Sequence, residues 1–151
     1  LIKYKKNGLK IKKKVFKNII NTENDLCFAE NEIDMNGPAV VSFAMRDVIP
    51  DIKNLSKNID CIFSHQAGKI VMSQIQKKID TNIFFPLNFA NHGNLVSTSI
   101  PLLIKQNMKK FKTKKKILIC GFGVGLSASI ILFNKLIFIQ YLEIFSVYQK
   151  L

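Results

Sequence analysis

Along the middle of the chain, segments of helical periodicity alternate with short apolar runs. From Pro38 onward, apolar residues recur every three or four positions, which predicts a helix over about 38–56, bent or frayed near Pro50. Residues 59–64 form a short, largely apolar run typical of a buried strand, and residues 67–79 return to helical spacing. This alternation of helices and strands predicts an α/β fold.

The second half of the chain continues the alternation. The elements expected there are an extended piece at 83–85, a turn segment at 88–94, a helix at 97–109, and two strands at 116–120 and 126–133. A tight turn at Gly121–Gly125 would join the two strands, because glycines between apolar runs favour a turn. The polar stretch 21–34 is expected to be a loop, and the pattern of 134–151 does not decide between strand and helix.

The apolar run 117–133 has a second interpretation as a membrane helix. Its 17 residues carry no charge, which is the lower limit for a spanning helix, and the lysines before it would satisfy the positive-inside rule. Two short apolar runs around a glycine-rich turn describe the segment better. A small basic membrane protein anchored by residues 117–139 is nevertheless kept as an alternative.

Composition is that of one folded domain or half of a larger one. The chain has 151 residues, 48% of them hydrophobic, and 23 basic against 10 acidic residues give a net charge of +13. Only one basic residue, Arg46, is an arginine, which argues against a nucleic-acid partner because base recognition favours Arg. Lysines cluster before residue 18 and between Lys105 and Lys116. Each cluster is either a solvated face or a docking surface for an acidic partner.

Processing signals and cysteine spacing point to a cytoplasmic protein. Residues 1–17 contain no continuous apolar stretch of the kind that a secretory signal needs. The chain begins at Leu1 rather than Met, so we expect a processed chain or a fragment. The three cysteines show no metal-binding or redox spacing, which indicates reduced thiols.

Two polar residues stand where α/β folds collect ligands. His65 lies at the point where a buried strand gives way to a helix, and Asn94 follows His92-Gly93 in a loop. Each residue taken alone is as compatible with a structural role. The GFGVG segment at 121–125 lacks the spacing of a dinucleotide-binding fingerprint, so its glycines are expected to allow close approach of the backbone to a neighbour or ligand.

The order and context of these residues are more specific than any one of them. Four blocks carry the pattern: MNGPAVVSFAMRDVIP (35–50), IFSHQA (62–67), NHGNLVSTSIP (91–101) and ILICGFGVGLSAS (117–129). In sequence and spacing they resemble the C-terminal half of 3-oxoacyl-acyl-carrier-protein synthase III, a condensing enzyme of the thiolase-like superfamily.

The resemblance implies a fold and a division of the chain. The fold would be one half of a thiolase-like α/β structure, a mixed sheet with helices packed on it. Residues 1–32 would be a basic and polar N-terminal remnant or linker, residues 33–133 the synthase III C-terminal domain, and residues 134–151 an apolar extension.

The resemblance also implies an activity and a site. The family joins an acyl group to a malonyl-derived unit by decarboxylative condensation, with acyl-CoA and malonyl-acyl carrier protein as substrates and with no cofactor or metal. His65 and Asn94 would be its catalytic histidine and asparagine. Backbone from the loop Phe122, Gly123 and Val124 would complete an oxyanion hole, with the amide of Val124 as the donor.

Several departures limit the resemblance. Gly68, Leu95 and Val96 replace family residues, and Cys27, Cys61 and Cys120 all lie outside the family's nucleophile motif. We therefore expect a truncated domain, inactive alone, that needs a missing N-terminal half or a homodimer partner. The alternative is a non-catalytic module that binds acyl carrier protein or acyl-CoA.

The acyl carrier protein is the expected partner, and it is acidic in this family. The lysine cluster before the GFG strand is the predicted docking surface, represented by Lys109, Lys110, Lys112 and Lys114. Such contacts between surface charges are weak and salt-sensitive.

Overall fold

A computed structural model describes residues 8–30 and 32–135. In this part of the chain a four-stranded sheet has the order β1-β6-β5-β4, and β2 and β3 form a separate hairpin. The strands are β1 (Leu9–Asn18), β2 (Leu26–Ala29), β3 (Glu32–Met35), β4 (Cys61–Ser64), β5 (Lys116–Gly123) and β6 (Ser127–Lys135). Strands β4 and β5 are parallel and the other pairs are antiparallel, so the sheet is mixed.

The helices pack on both faces of the sheet. They are α1 (Gly37–Phe43), α2 (Ile49–Leu55), α3 (Lys69–Lys78), α4 (Phe89–His92), α5 (Ser99–Gln106) and α6 (Met108–Thr113). Helices α1, α2 and α3 cover one face, where Ile52 and Met72 pack with Leu118. Helices α5 and α6 cover the other, where Leu103 packs with Phe63. The predicted mixed sheet with packed helices is confirmed.

Strand β1 corrects the predicted division of the chain. The interpretation of residues 1–32 as a remnant or linker does not hold for Leu9–Asn18, which pairs with β6 along its length. Its Val15 packs against the main core beside Ile130, while most of its lysines stay exposed. Lysine is common on edge strands, where it discourages pairing with other chains. The many lysines of β1 obscure the alternation of apolar and polar residues by which a strand is recognised in a sequence.

The stretch 21–34, expected to be a loop, contains the hairpin of β2 and β3. Leu26 pairs with Met35 and Phe28 with Ile33, which places four apolar side chains on one face of the hairpin. Strands of four residues interrupted by acidic side chains give a weak periodic signal, and this prediction was wrong.

The predicted helix 38–56 is present but changes geometry before Pro50. Asn36 caps it by accepting a hydrogen bond from Ala39 N at 3.2 Å. A π-helical segment, Ala44–Val48, separates α1 from α2. Proline has no N–H and crowds the carbonyl four residues earlier, here that of Arg46, so a wider turn at this point accommodates the ring.

Other helices are close to their predicted positions but less regular. The region expected as one helix at 97–109 is a 3-10 turn at Val96–Thr98 followed by α5, with α6 beginning after Asn107. The turn segment at 88–94 contains the single-turn helix α4.

The glycine-rich segment is a hairpin, as predicted. Strand β5 runs to Gly123, two residues beyond the expected start of the turn, and pairs antiparallel with β6 from Gly123↔Ser127 to Lys116↔Asn134. The chain reverses at residues 124–126. Asn134 and Lys135, assigned to the C-terminal extension, belong to β6, and residues 136–151 lie outside the described residues.

A spanning helix at 117–133 is therefore excluded by the hairpin. Across residues 8–30 and 32–135, no helix has both the length and the apolar character needed to cross a membrane.

Candidate functional site

Strand β4 delivers His65 to the end of the sheet. The backbone N–H of His65 donates to Cys120 O at 2.8 Å, which continues the parallel ladder between β4 and β5 by one residue. The half-buried imidazole meets the ring of Phe122 edge to face, with centroids 5.3 Å apart and planes at 88°. The predicted catalytic histidine and the first residue of the predicted oxyanion loop are thus in contact.

The electrostatics of His65 favour its neutral form. Burial lowers the pKa of the imidazole below 6.5, and hydrogen bonding with the backbone of Val96 acts in the opposite direction without cancelling it. A neutral imidazole has one N–H donor and one lone pair. Near pH 7, His65 can therefore donate a hydrogen bond without carrying a charge.

Asn94 is linked to His65 through the backbone of Val96. Its Oδ1 accepts a hydrogen bond from Val96 N at 2.9 Å. With the oxygen engaged, the amide nitrogen of this exposed side chain has no protein partner within the described residues and can donate to a ligand. One residue, Val96, therefore contacts both predicted catalytic side chains.

Val96 has an unusual backbone conformation at this contact. Its φ is +49°, in the left-handed region that a β-branched residue rarely adopts. Strain of this kind costs about 1–3 kcal/mol and persists only where surrounding structure holds it, and it clusters at functional sites. Sequence reasoning noted Val96 only as a departure from the family, since a positive φ on valine has no sequence signal.

The oxyanion loop ends at the surface. Phe122 is buried in contact with His65, Gly123 is the last residue of β5, and the exposed Val124 begins the turn. The carbonyl of Val124 accepts a hydrogen bond from Ser127 Oγ at 2.7 Å, which fixes the start of the turn. A further residue, Gly125, has a φ of +114°, a conformation that favours glycine.

Residues after β1 hold this turn from outside. Thr22 Oγ1 accepts from Leu126 N at 2.6 Å and lies 2.8 Å from Gly125 O, while Ile19 N donates to Leu126 O at 3.0 Å. Thr22 was missed in the sequence because nothing in a polar stretch connects it with a glycine turn a hundred residues later. The turn that follows the predicted oxyanion loop is therefore held by the N-terminal segment.

His65 and Asn94 lie at an open surface. A cavity of about 470 Å³, lined in part by Lys57, Ile59 and Asn82, is at the opposite end of β4 from His65. The second cavity, beside Thr81, is also away from the histidine. Neither His65 nor Asn94 lines either of these two cavities.

The buried cysteines are poor nucleophiles. Burial raises the pKa of the Cys61 thiol to about 12 and raises that of Cys120 as well. The thiolate is the reactive species, so both side chains stay protonated at neutral pH. Cys27, half-buried, lies on β2 in the hairpin.

The predicted docking lysines lie far from this site. Lys109, Lys110 and Lys112 are on α6 and Lys114 follows it, so all four are at the start of β5, whereas Phe122 is near its end. An eight-residue strand spans about 23 Å at 3.3 Å per step. Their proximity in sequence to the GFG segment therefore does not make them close in space.

Residues 53–135 match the family model of the 3-oxoacyl-[acyl-carrier-protein] synthase III C-terminal domain. The chain belongs to this family. The match lies within the predicted domain except for Asn134 and Lys135 at its end. Cys61, His65, Asn94 and the oxyanion loop all fall within the match.

Relatives of known name agree with this assignment. The chain is 34% identical over 118 residues to the beta-ketoacyl-[acyl-carrier-protein] synthase III of Streptococcus gordonii, covering 70% of this chain and 35% of that protein. It is 35% identical over 107 residues to the same synthase of Streptococcus pyogenes, covering 63% and 33%. The chain spans about a third of the length of the curated relatives that it matches.

Solved structures of synthase III share the fold. A 3-oxoacyl-(acyl-carrier-protein) synthase III superimposes with a TM-score of 0.71 at 23% identity, over 82% of this chain and 47% of that one. The enzyme from Aquifex aeolicus gives 0.70 at 20% identity, over 87% and 46%. The architecture is thus one half of the thiolase-like fold.

Proton binding to His65 should make the stability of the domain depend on pH. The folded-state pKa lies below 6.5, so on acidification the unfolded chain takes up this proton first. The contribution is complete above pH 6.5 and is lost as the pH falls through the folded-state value. We expect the free energy of unfolding, measured in urea, to fall below pH 6.5, and by less in His65→Gln. An equal fall in both proteins would show that His65 is not the group responsible; His92→Gln serves as the control on an exposed histidine.

Proposed function

We propose that this chain supplies the His-Asn half of the active site of a synthase III-type condensing enzyme. The reaction joins an acyl group from acyl-CoA to the unit left by decarboxylation of malonyl-acyl carrier protein, in fatty-acid or related acyl-chain synthesis. Two observations support the proposal best: His65 meets Phe122 at the ends of two parallel strands, and both His65 and Asn94 are hydrogen-bonded with the backbone of Val96. No cofactor is needed for this chemistry.

The donors suit the charge that develops in the reaction. Loss of carbon dioxide from a malonyl thioester leaves an enolate, whose oxygen is stabilised by preorganised hydrogen-bond donors. The neutral imidazole of His65, whose N–H would turn from the Val96 backbone to the enolate oxygen, and the amide nitrogen of Asn94 are the two proposed donors, and neither has to change its protonation state. The backbone N–H of Val124, beside Phe122, is the proposed donor to the acyl thioester.

The nucleophile has to come from elsewhere in the protein. Cys61 and Cys120 are buried and protonated, and Cys27 lies on a different element from His65. The matched family region is the C-terminal one, so we propose that the remaining N-terminal part carries the reactive cysteine. This would explain why the chain carries the proposed hydrogen-bond donors, His65 and Asn94, but no reactive cysteine.

Exposed apolar surface supports such a partner. On the hairpin, Phe28, Ile33 and Met35 are 71%, 67% and 56% exposed and share one face. On the edge strand β1, Ile11 and Phe16 are exposed on the sheet face that α5 and α6 cover over β4, β5 and the end of β6. Clustered apolar side chains of this kind mark interfaces. We propose that the N-terminal part covers them, with a second copy of the chain as the alternative occupant.

A split-enzyme experiment tests the proposed function. This chain would be co-expressed with the N-terminal part of the Streptococcus gordonii relative, and formation of 3-oxoacyl product measured from labelled acyl-CoA and malonyl carrier protein. Product should require both parts. The matched control pairs the same N-terminal part with its own C-terminal third. If the control is active and this chain binds its partner without forming product, the proposed function is wrong.

The isolated chain should form no acyl-enzyme. Incubation with labelled acyl-CoA should leave Cys61 and Cys120 unmodified, because neither is ionised or accessible. Intact-protein mass spectrometry reads the result directly. An adduct on either cysteine that is consumed on adding malonyl carrier protein would contradict the division of labour proposed above.

Docking of the carrier protein should depend on charge near His65. Exposed Lys69, at the start of α3, is on the His65 end of the sheet, whereas Lys112 is on the opposite end. For the assembled split enzyme we expect Lys69→Glu to weaken carrier-protein binding about two- to fivefold at low salt, and Lys112→Glu to have a smaller effect. Calorimetry at two salt concentrations measures both. A larger effect at Lys112 would restore the cluster of Lys109, Lys110, Lys112 and Lys114 as the docking surface.

The proposed location is the cytoplasm. Cys61 and Cys120 are buried free thiols, which suits a reducing compartment.

A further inference from the structure

A fully buried glutamine lies immediately after His65. Gln66 Nε2 donates to Ser64 O at 3.0 Å and contacts Met72 Sδ at 3.7 Å, and its Oε1 accepts from the backbone N–H of Asn88 at 3.0 Å. An amide buried this deeply is costly unless its groups are paired, and here both ends are. The side chain thus connects the end of β4 with a segment 22 residues later.

The connection continues beyond Asn88 through side chains. Asn88 Nδ2 donates to Gln106 Oε1 at 2.9 Å, and Gln106 Nε2 lies 2.9 Å from His92 Nε2. Because an amide nitrogen can only donate, His92 Nε2 is the acceptor. The chain of hydrogen bonds runs from Gln66 through Asn88 and Gln106 to His92, and it joins the end of β4, both ends of α4 and the end of α5.

This series of hydrogen bonds spans the loop that carries Asn94. Asn88 precedes α4, and its carbonyl accepts the N–H groups of Asn91 and His92 at 3.1 Å, which sets the start of the helix. Asn94 follows two residues after α4 ends, and α5 begins five residues after Asn94. The position of Asn94 relative to the sheet is therefore determined at Asn88 on one side and at Gln106 on the other.

We infer that Gln66 is a positioning residue that fixes Asn94 relative to His65 through its hydrogen bond to Asn88. The inference rests on the proposed function only in giving that geometry a catalytic purpose. Gln66 is next to His65 in the chain and is bonded to Asn88, at the start of the segment that carries Asn94. Its side chain therefore sets the position of the Asn94 loop relative to the end of β4, where His65 lies. The strained Val96, which contacts both donors, is held by the same arrangement.

The test uses the whole chain and needs no substrate. Gln66→Met keeps an unbranched side chain of similar size but removes the bond to Asn88 N–H. Two quantities are measured by NMR: exchange protection of the Val96 amide, which reports the bond to Asn94 Oδ1, and the titration of His65. The matched control is Gln76→Met, an exposed position on α3.

We expect Gln66→Met to lower the protection of the Val96 amide about tenfold relative to amides in β5, and to move the pKa of His65 towards its ordinary value. Gln76→Met should leave both unchanged. A fall in protection that is no larger at Val96 than in β5 would show that Gln66 only fills the core, and would overturn the inference.

A second variant tests the inference if Gln66→Met does not fold. Gln106 is exposed, so Gln106→Met should fold, and it cuts the chain of hydrogen bonds between Asn88 and His92. Protection of the Val96 amide should fall about threefold in this variant. No change there overturns the inference. Because both readouts are made on the free chain, an inactive split enzyme would count against the proposed function without affecting this result.

Discussion

In the split enzyme, His65→Ala and Asn94→Ala are each expected to lower the rate of malonyl-carrier-protein decarboxylation about 10²–10³-fold. Each change removes one donor from an enolate oxygen, and loss of a single donor of this kind typically has that effect on kcat. Because both side chains act on the same developing charge, the double variant should lose less than the product of the two single effects. Release of labelled carbon dioxide under saturating substrate gives the rates.

The chain offers a matched control for each donor. His92 and Asn91 are exposed residues of the same types, close in sequence to Asn94, and among the described residues neither is hydrogen-bonded to Val96. Asn91→Ala should reduce the rate far less than Asn94→Ala. His92→Ala removes only the last hydrogen bond of the series that begins at Gln66, so it should reduce the rate less than His65→Ala. If His92→Ala is as damaging as His65→Ala, the histidine has been assigned to the wrong position.

For stability, Phe63→Ala is expected to lower the free energy of unfolding by about 3–5 kcal/mol. Phe63 is completely buried and meets Phe84 and Phe111 edge to face, with centroids 6.4 and 5.6 Å away. The aromatic cluster joins β4 to α6, so its loss leaves a cavity between the sheet and the helices on that face. Urea unfolding followed by circular dichroism measures the change.

Phe16 provides the comparison for this prediction. It is 62% exposed on β1, so Phe16→Ala should change stability by no more than about 0.5 kcal/mol in the isolated chain. If Phe63→Ala prevents folding altogether, Phe63→Leu, which leaves a smaller cavity, should give a measurable loss. Equal effects of the alanine changes at Phe63 and Phe16 would mean that the core is not where the structure places it.

The sequence was sufficient for the parts of the site that local signals determine. A short apolar run followed by a helical segment places His65 at a strand end. The family resemblance carried by the HQA, GN and GFG blocks is what connects it with Asn94 and Phe122. Helix α3 and the hairpin of β5 and β6 follow from periodicity and glycine. These elements form from contacts close in the chain, which a pattern can express.

Long-range contacts account for most of what sequence reasoning missed. Val15 is recognisable as a buried strand residue only when β6 lies beside it, and its neighbours in the chain are mainly lysines. Thr22 acquires its role from a turn that closes at Leu126. The same reason explains the docking prediction, since proximity of Lys112 to the GFG segment in sequence says nothing about which end of the strand it occupies.

The pairing of β1 with β6 has a consequence for how the domain is made. Of the described strands, β1 leaves the ribosome first and its partner β6 leaves last. Strand β1 is therefore unpaired while the rest of the sheet is synthesised. An unpaired apolar strand in that interval would invite association with other nascent chains. Its lysines, which repel one another and like strands, keep the waiting segment in solution until residues 127–135 arrive. Closure of the described sheet, and with it the support of the predicted oxyanion loop by Thr22, therefore follows the synthesis of β6.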